Sequence, residues 1–421
     1  MKIYLDHSAT TPVDKKVLED MKPYFTKIYG NASSIHSFGQ AAMAGVDKAR
    51  EQAANFLNCE TSEIIFTSGA TESDNLTIKG VIKNLKQSEI KNPHIIASLV
   101  EHDAVLEPCA ELEKEGVEVS YLQVKKNGAI DLEKFKKLIK DNTVLVSIMW
   151  VNSEVGAIMP IREIGKIIKK FNEKRLRDWK KLRPGERGGR PQQIYFHTDA
   201  TQALNFINCD VKWNYVDLLS MSAHKIYGPK GVGVLYRKEG VPLAPLQTGG
   251  HHENNNRSGT LNISGIVGLG SAIELLGKGE KGLQATVAQN KTSAHIGSLR
   301  DMLVRGILKN IPDVILNTDR KNSVPSHAHF SFLGVEGESI LMALDLKGIA
   351  VSTGSACASG NLKASHVLLA MGIKKEIAHN SIRFTLGKHN TKKEIEYVLK
   401  VLPPIIKKLR KMNPLYEKSS K

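Results

Sequence analysis

Hydrophobic residues in the first two thirds of the chain follow two alternating patterns. Seven short runs are rich in apolar and β-branched residues, as buried strands are: 63–67, 94–99, 117–124, 143–151, 194–197, 216–221 and 231–237. Most of the segments between them have a helical i, i+3, i+4, i+7 apolar spacing, exemplified by Ile78, Val81, Ile82 and Leu85 and by Ile164, Ile167, Ile168 and Phe171. This alternation predicts an α/β fold with a mainly parallel seven-stranded sheet covered by helices.

The pattern changes after about residue 260. A helix-rich stretch leads to short strands near 328–332 and 349–352, and then to a helical tail at 392–411. We interpret 13–260 as a large domain, and 1–12 together with 261–421 as a smaller α+β domain. Residues 174–190, KRLRDWKKLRPGERGGR, contain a proline and three glycines that disfavour regular structure, so we predict an inserted surface loop.

Composition and targeting signals narrow the class of protein. A chain of 421 residues with 41% hydrophobic and 24% charged content is long enough to bury a large core. No run approaches the ~18 apolar residues of a membrane helix, and the first residues, MKIYLDHSATTP, lack the apolar core of a signal peptide. We therefore expect a cytoplasmic protein without a membrane association.

Charge and cysteine content exclude little on their own. The net charge of +16 is suited to nucleic acids, acidic proteins or phosphorylated ligands, and equally to simple solubility. The four cysteines form no CxxC or His/Cys cluster, so neither a disulfide framework nor a metal site is predicted. Cys357 lies among small residues in STGSACASGN (352–361), which indicates an exposed, mobile thiol. The other three, Cys59, Cys109 and Cys209, fit inert packing positions.

Two segments place reactive residues at the ends of predicted strands. LLSMSAHKIYGPK (218–230) brings Ser222, His224 and Lys225 together, and a lysine beside phosphate-binding groups suits an imine with pyridoxal phosphate. HTDATQ contains Asp199, and a carboxylate is what the pyridine nitrogen of that cofactor needs to stay protonated. Taken alone, Lys225 also fits a solvated surface lysine, and Asp199 fits a helix N-cap.

Two further segments are compatible with the same cofactor. In IIFTSGATESDNL (64–76) a buried strand precedes Ala70 and Thr71 at a helix start, where free N–H groups bind phosphate. Its spacing matches neither a dinucleotide nor a nucleoside triphosphate motif. In VEHDAVL (100–106), His102 follows the predicted strand 94–99, and a flat imidazole there suits stacking on a pyridine ring. A simple capped helix and a structural histidine explain these two features equally well.

Seven blocks together resemble the cysteine desulfurases. They cover almost the whole chain in the order of the family, and the cysteine segment is similar to the group with a long cysteine loop that serves iron–sulfur cluster assembly. The blocks are YLDHSATTP (4–12), FTSGATESDNL (66–76), EHDAV (101–105), HTDATQ (197–202), SAHKIYGPKGVG (222–233), RSGT (257–260) and STGSACASG (352–360).

The resemblance implies a fold-type I enzyme that uses pyridoxal 5'-phosphate, forms a homodimer and converts L-cysteine to L-alanine with a persulfide on Cys357. By this resemblance Lys225 links the cofactor and carries the α-proton, Asp199 is the partner of the pyridine nitrogen, and His102 stacks on the ring. Gln202 contacts the pyridoxal hydroxyl, and the phosphate is contacted by Thr71, Ser222 and His224 and, from the other subunit of the dimer, by Thr260. The implied contacts of the substrate carboxylate are Asn31 and Arg383.

Departures of the sequence from the family pattern keep other functions open. VNSEVG (151–156) has Ser153 where the family has an asparagine that bonds the pyridoxal hydroxyl, and serine has a shorter reach. The insertion at 174–190 has no counterpart. Sulfur acceptors implied by the resemblance are an iron–sulfur scaffold protein and proteins of tRNA thiolation. The alternatives are selenocysteine lyase or another fold-type I enzyme, and a basic nucleic-acid- or scaffold-binding protein that has lost catalysis.

Overall fold

The computed structural model describes residues 2–87, 92–183, 191–277, 291–353, 364–413 and 416. Within them the strands are β1 (Ile3–Tyr4), β2 (Ile64–Thr67), β3 (His94–Ser98), β4 (Glu118–Leu122), β5 (Thr143–Ser147), β6 (Tyr195–Asp199), β7 (Leu218–Ser222), β8 (Gly233–Arg237), β9 (Val314–Leu316), β10 (His327–Phe332), β11 (Ile349–Ala350) and β12 (Ser381–Thr385).

The helices alternate with these strands along the first part of the chain and dominate its last part. They are α1 (Lys15–Met21), α2 (Pro23–Thr26), α3 (Ser37–Leu57), α4 (Ala70–Gln87), α5 (Asp103–Lys114), α6 (Leu132–Leu138), α7 (Ile161–Lys181), α8 (Val211–Asn214), α9 (Ile263–Leu275), α10 (Lys291–Asn310), α11 (Gly337–Asp345), α12 (His366–Ala370), α13 (Lys375–Ala378) and α14 (Lys392–Lys411). No helix among the described residues is long and apolar enough to cross a bilayer.

The central sheet has seven strands in the order β2-β8-β7-β6-β5-β3-β4. The pairs from β7 to β4 are parallel, and β8 runs antiparallel to both of its neighbours. Every one of the seven predicted strands is present, so the predicted mainly parallel sheet is confirmed. Strand β5 ends at Ser147, short of the predicted end at 151, because the backbone N–H of Met149 turns to donate to both oxygens of Glu101, at 2.9 and 3.0 Å.

Successive residues of the central strands enter two different hydrophobic cores. Ile95, Leu145 and Leu218 pack with the predicted helix residues Ile78 and Ile82 on one face. Their neighbours along each strand, such as Ile96, Val146 and Leu219, belong to a larger cluster that continues into Phe330 and Phe384. Because both faces of the sheet are covered, the strands are continuous apolar runs in the sequence. This makes them easy to predict.

A second group of elements lies outside this sheet. Strands β12, β10 and β9 form an antiparallel sheet, and β1 pairs in parallel with β11. The expected strand near 328–332 is β10, and the helical tail at 392–411 is α14. Strands β1, β9 and β12 were not predicted. The assignment of 1–12 and 261–421 to one domain stays a prediction, compatible with the β1–β11 pairing.

Helix α7 corrects one prediction. Residues 174–181, predicted to be loop, continue this helix to Lys181. The extension is held to the sheet because Asn172 exchanges two hydrogen bonds of 2.9 Å with the backbone of Ile194, and Arg175 donates to four backbone carbonyls. The proline and glycines that suggested a loop fall at 184–189, outside the described residues.

Candidate active site

A cavity of about 830 Å³ opens at the edge where β6 and β7 end, next to the start of α4. Its lining includes most of the predicted site residues: Ala70, Thr71, His102, Ser153, Asp199, Gln202, Ser222, His224, Lys225 and Arg383. Asn31 and Thr260 are exposed and are not among its lining residues. Cys357 lies outside the described residues, whereas Ala364 and Ser365, shortly after it in sequence, line the cavity.

Lys225 is anchored by the N-terminal segment. Its Nζ donates to the carbonyl oxygens of Ser8, at 2.5 Å, and Ala9, at 2.7 Å. The side-chain amide of Gln202 donates to the same Ser8 oxygen at 2.9 Å. Lys225 is therefore a cavity-facing amine, and the alternative of a solvated surface lysine is wrong. Ser8 and Ala9 had no predicted role, although they lie in the segment YLDHSATTP that marks the family resemblance.

Hydrogen-bond donors collect at one end of the cavity. The N–H groups of the first turn of α4 have no intrahelical acceptor, and Ala70 is the first residue of this helix. Ser222 ends β7, and His224 Nδ1 lies 3.1 Å from the hydroxyl of Thr10. Burial, aided by the charge of Lys225, lowers the pKa of His224 to about 4, so its imidazole is neutral at pH 7. Such donors fit a phosphate group.

Asp199 ends β6 with a buried carboxylate at the cavity wall. Its Oδ1 accepts from the N–H of Thr201 at 2.9 Å, but no helix begins here, so the N-cap interpretation is wrong. Burial, and secondarily the charge of Asp199, raise the pKa of the neighbouring Asp74 well above its usual value. Burial thus favours the protonated form of Asp74, which limits the negative charge beside Asp199.

His197 lies behind the same pair. Its Nε2 is 3.5 Å from Asp74 Oδ1, and burial lowers the pKa of His197 to about 3. The imidazole of His197 is therefore neutral at pH 7, and its contact with Asp74 is not an ion pair.

His102 both caps a helix and lines the cavity, while its stacking on a cofactor ring stays a prediction. It is the N-cap of α5, and its Nδ1 accepts from the N–H of Ala104 at 3.1 Å. An acceptor Nδ1 leaves the proton of a neutral ring on Nε2. The ring also lines the cavity, so the cap fixes the orientation of a cavity-facing imidazole.

Arg383 is buried, with one donor left open. Its Nη2 donates to Asp6 at 2.9 Å and its Nη1 to the carbonyl oxygen of Ser153 at 3.0 Å. The Nε has no hydrogen-bond partner among the described residues. A buried arginine with an unused N–H at a cavity wall fits an incoming carboxylate.

The backbone of Ser153 is fixed from three sides. Besides Arg383, its carbonyl oxygen accepts from the hydroxyl of Ser8 at 2.7 Å and lies 3.2 Å from Nε2 of His327. His327 is fully buried, and burial lowers its pKa to about 3. The predicted role of the Ser153 side chain toward a cofactor stays a prediction.

Two buried carboxyl groups at the cavity were not singled out from the sequence, although Glu101 lies within EHDAV and Glu154 within VNSEVG. Burial raises the pKa of Glu101 to about 8 and that of Glu154 to about 7. Glu154 accepts from the hydroxyl of Ser365 at 2.5 Å, and Ser365 is the N-cap of α12. Glu154 thus ties the wall of the cavity to the chain that follows the Cys357 segment.

These residues fit pyridoxal phosphate. The helix start with Thr71, Ser222 and His224 matches the phosphate, the carboxylate of Asp199 matches the pyridine nitrogen, and Lys225 supplies the amine. Groups of histidine, cysteine or acidic residues able to hold a metal ion do not occur within the described ranges.

Comparisons with known proteins agree with this geometry. The family model "Aminotransferase class-V" matches residues 3–177 and 187–398. "Cysteine desulfurase IscS" of Dictyoglomus turgidum is 47% identical over 98% of this chain and 96% of its own length. A solved "NifS-like protein" superposes with a TM-score of 0.85, 36% identity, and coverage of 97% of this chain and 100% of its own. "SspA in complex with cysteine" does so with a TM-score of 0.75, 31% identity, and coverage of 93% and 100%.

The fold and the site define a fold-type I enzyme that depends on pyridoxal phosphate. Within the class-V aminotransferase family the chain belongs to the cysteine desulfurases. The predicted family, fold class and cofactor are thereby confirmed.

Proposed function

We propose that this enzyme removes sulfur from L-cysteine and leaves it as a persulfide on Cys357. The C–S bond of the substrate breaks, an S–S bond forms on the Cys357 thiol, and the β-carbon of the substrate gains the proton that makes it L-alanine. One cysteine and one enzyme thiol thus give one alanine and one enzyme persulfide. The observation that carries the proposal is the convergence of Lys225, Asp199 and Arg383 on one cavity in a chain 47% identical to a cysteine desulfurase.

The residues of the chain divide the work by position. When bound, pyridoxal phosphate supplies an electron sink that weakens bonds at the α- and β-carbons of an amino acid. Arg383 offers its open Nε–H to the substrate carboxylate, and Asn31 is a proposed second contact. Lys225, held at the carbonyls of Ser8 and Ala9, is the amine that holds the cofactor and moves the α-proton. The solved relative SspA is in complex with cysteine, which supports cysteine as the substrate.

The thiol assignment rests partly on the other cysteines. Cys109 and Cys209 are buried and Cys59 is half-buried. Burial raises the pKa of Cys59 and of Cys109 to about 12 and that of Cys209 still further, so none of these three is a thiolate at neutral pH. Cys357, in its run of small residues, is the remaining candidate.

The partners are proposed at a coarser level. Thr260 is exposed and outside the cavity of the single chain, as a residue that serves the neighbouring subunit of a homodimer would be. We propose an iron–sulfur scaffold protein as the sulfur acceptor, with proteins of tRNA thiolation as further acceptors, and a cytoplasmic location. Membership of the same family as the relatives named cysteine desulfurase IscS supports the first of these acceptors.

Turnover by a lysine variant tests the proposal. Lys225→Ala is expected to abolish alanine formation from L-cysteine, because it removes the amine held at the Ser8 and Ala9 carbonyls. Lys347→Ala, an exposed lysine between α11 and β11, is expected to match wild type. Alanine is quantified after incubation with L-cysteine and a small reductant. Wild-type alanine production by Lys225→Ala would refute the proposed role, and absence of alanine from wild type would refute the function.

A further inference from the structure

Three successive residues of the loop at 249–260 have a left-handed backbone. Glu253, Asn254 and Asn255 have φ values of 45°, 52° and 64°. Positive φ is uncommon outside glycine, and asparagine tolerates it better than glutamate does. Three such residues in a row persist only where the surrounding structure holds them, and backbone of this kind clusters at functional sites. The contacts that hold this turn are therefore informative about its role.

A buried ion pair holds the turn to the edge of the central sheet. Both carboxylate oxygens of Glu253 accept from Arg50 on α3, at 2.7 and 3.0 Å, and the two side chains are 1% and 18% exposed. The same carboxylate accepts from the backbone N–H of Phe66, at 2.8 Å, on the edge strand β2. Arg50 also donates to the carbonyl oxygen of Ile64 at 2.6 Å. A bidentate pair whose partners both bond to backbone is a geometrically specific anchor.

The second half of the loop is tied to the start of α4. The Nε of Arg257 donates to Oε1 of Glu72 at 2.9 Å, and Oε2 of Glu72 accepts from the backbone N–H of Ser68 at 2.6 Å. Ser68 and Glu72 line the cavity, whereas Thr260, at the end of the loop, is exposed and is not among the lining residues. The loop thus leads from the predicted phosphate-binding end of its own cavity to an outward-facing threonine.

The ion pair contributes position more than stability. The net stability gained from a buried pair is small, because both ions are withdrawn from water. What the Arg50–Glu253 pair does supply is one fixed arrangement of three segments, namely α3, β2 and the left-handed turn. The residues that follow the turn, up to Thr260, are held in place by this arrangement.

We propose that Arg50 and Glu253 are positioning residues that hold the 249–260 loop so that Thr260 contacts the cofactor phosphate in the neighbouring subunit. The inference rests on the proposed homodimer and on the contact proposed for Thr260, and it adds the two residues that act through that threonine. In the described part of the chain neither Arg50 nor Glu253 lines the cavity, so neither touches the cofactor or substrate of its own subunit.

Comparing pyridoxal phosphate with pyridoxal, which lacks the phosphate, isolates this contact. Absorbance titration of the full-length apoenzyme gives the affinity for each, and their ratio is the contribution of the phosphate. Glu253→Gln, which keeps the size of the side chain and removes its charge, is expected to lower the ratio about tenfold, as is Thr260→Val. Because Glu253 acts through Thr260, the double variant should have no lower ratio than Thr260→Val alone.

Two further variants separate positioning from stability. Arg50→Lys keeps the charge but loses the planar fork, so it should also lower the ratio, and it provides the measurement if Glu253→Gln does not fold. Arg175→Ala removes a half-buried guanidinium on α7, outside the loop and the cavity, and is expected to keep the wild-type ratio.

A heterodimer tests whether the loop acts on the neighbouring subunit. In a dimer of one Lys225→Ala chain and one Glu253→Gln chain, only the Glu253→Gln chain can link the cofactor to a lysine. Its site receives the loop of the other chain, in which Glu253 is unchanged. The lysine-linked cofactor is therefore expected to form with the wild-type ratio, whereas a dimer of wild type and the Lys225→Ala/Glu253→Gln double variant should show the lowered ratio.

The outcomes distinguish this proposal from the proposed function. An unchanged ratio in Glu253→Gln, while Thr260→Val lowers it, would overturn the positioning role and leave the desulfurase activity intact. Additive losses in the double variant, an equal loss in Arg175→Ala, or a lowered ratio in the first heterodimer would overturn it as well. An unchanged ratio in Thr260→Val would refute the Thr260 contact and the positioning role together. Failure of wild type to bind pyridoxal phosphate would refute the proposed function itself.

Discussion

Single side chains at the cavity are held in states that water would not favour. Asp74, Glu101 and Glu154 are buried carboxyls with raised pKa values, while His197 and His327 are buried imidazoles with lowered ones. In each case burial is the first cause, because the protein interior disfavours the charged form. Burial around the cavity therefore favours the uncharged forms of these acids and imidazoles.

The pH dependence of the unfolding free energy tests whether Glu154 is buried as a neutral acid. Its pKa is raised from 4.5 to about 7, so between these values the unfolded chain releases a proton that the folded protein keeps. Wild type therefore loses stability as the pH rises through this window, and Glu154→Gln, which has no proton to lose, does not. We expect the unfolding free energy of Glu154→Gln minus that of wild type to rise by roughly 3 kcal/mol from pH 4.5 to pH 7, and to level off above it.

Urea unfolding at a series of pH values provides the measurement. Glu163→Gln, an exposed glutamate at the start of α7, is the control and should show no comparable rise. A difference between Glu154→Gln and wild type that stays constant with pH, or that falls as pH rises, would show that Glu154 is not buried as a neutral acid.

The role proposed for Arg383 depends on the planar shape of its guanidinium group. Its guanidinium reaches Asp6 and the Ser153 carbonyl and leaves Nε for a ligand, and a lysine ammonium lacks the planar geometry to serve all three. Arg383→Lys is expected to raise the KM for L-cysteine about tenfold, equivalent to ~1.4 kcal/mol, with a smaller change in kcat. Alanine production is measured against cysteine concentration, with Arg320→Lys, outside the cavity, as control. An unchanged KM for Arg383→Lys would contradict a role in substrate binding.

At the scale of elements, the sequence reveals what is periodic. The central strands are visible because both of their faces are buried, and α4 and α14 because their apolar residues recur at helical spacing. Strand β12, SIRFT, was missed because its buried positions include the polar residues Ser381 and Arg383, which interrupt an apolar run. The predicted end of helix α7 was too early because the nearby proline and glycines were taken to disrupt the helix. Hydrogen bonds from Arg175 and Asn172 to neighbouring backbone in fact maintain it.

The stability of the α7 extension at residues 174–181 depends more on the hydrogen bonds of Arg175 than on the charges of the extension. The guanidinium is half-buried, burial lowers its pKa, and it donates to four carbonyls. Arg175→Ala should lower the free energy of unfolding by about 2 kcal/mol, because the carbonyls lose a charged donor. Arg177→Ala, two residues away and exposed, should change it by less than about 0.5 kcal/mol. Urea denaturation compares the two, and equal effects would contradict the anchoring role.

For the whole molecule, the site is assembled from both ends of the chain. Asp6 and Ser8 come from the first ten residues and Arg383 from the last forty, yet they meet at the carbonyl of Ser153 and over Lys225. Periodicity carries no information about contacts across that distance. The sequence therefore predicted the sheet and the strand-end residues Asp199 and Lys225 on physical grounds, whereas Arg383 was found only through the resemblance, and the roles of Asp6, Glu101 and Glu154 only in the structure.

The central claim is that sulfur passes from L-cysteine to Cys357. Wild-type enzyme is exposed briefly to L-cysteine, its thiols are alkylated, and its peptides are examined by mass spectrometry with and without a reductant. The account predicts one additional, reducible sulfur on the peptide that contains Cys357, and none on the peptides of Cys59, Cys109 and Cys209, whose thiols burial keeps protonated. Extra sulfur on one of those three, or alanine formed while Cys357 never acquires sulfur, would contradict it.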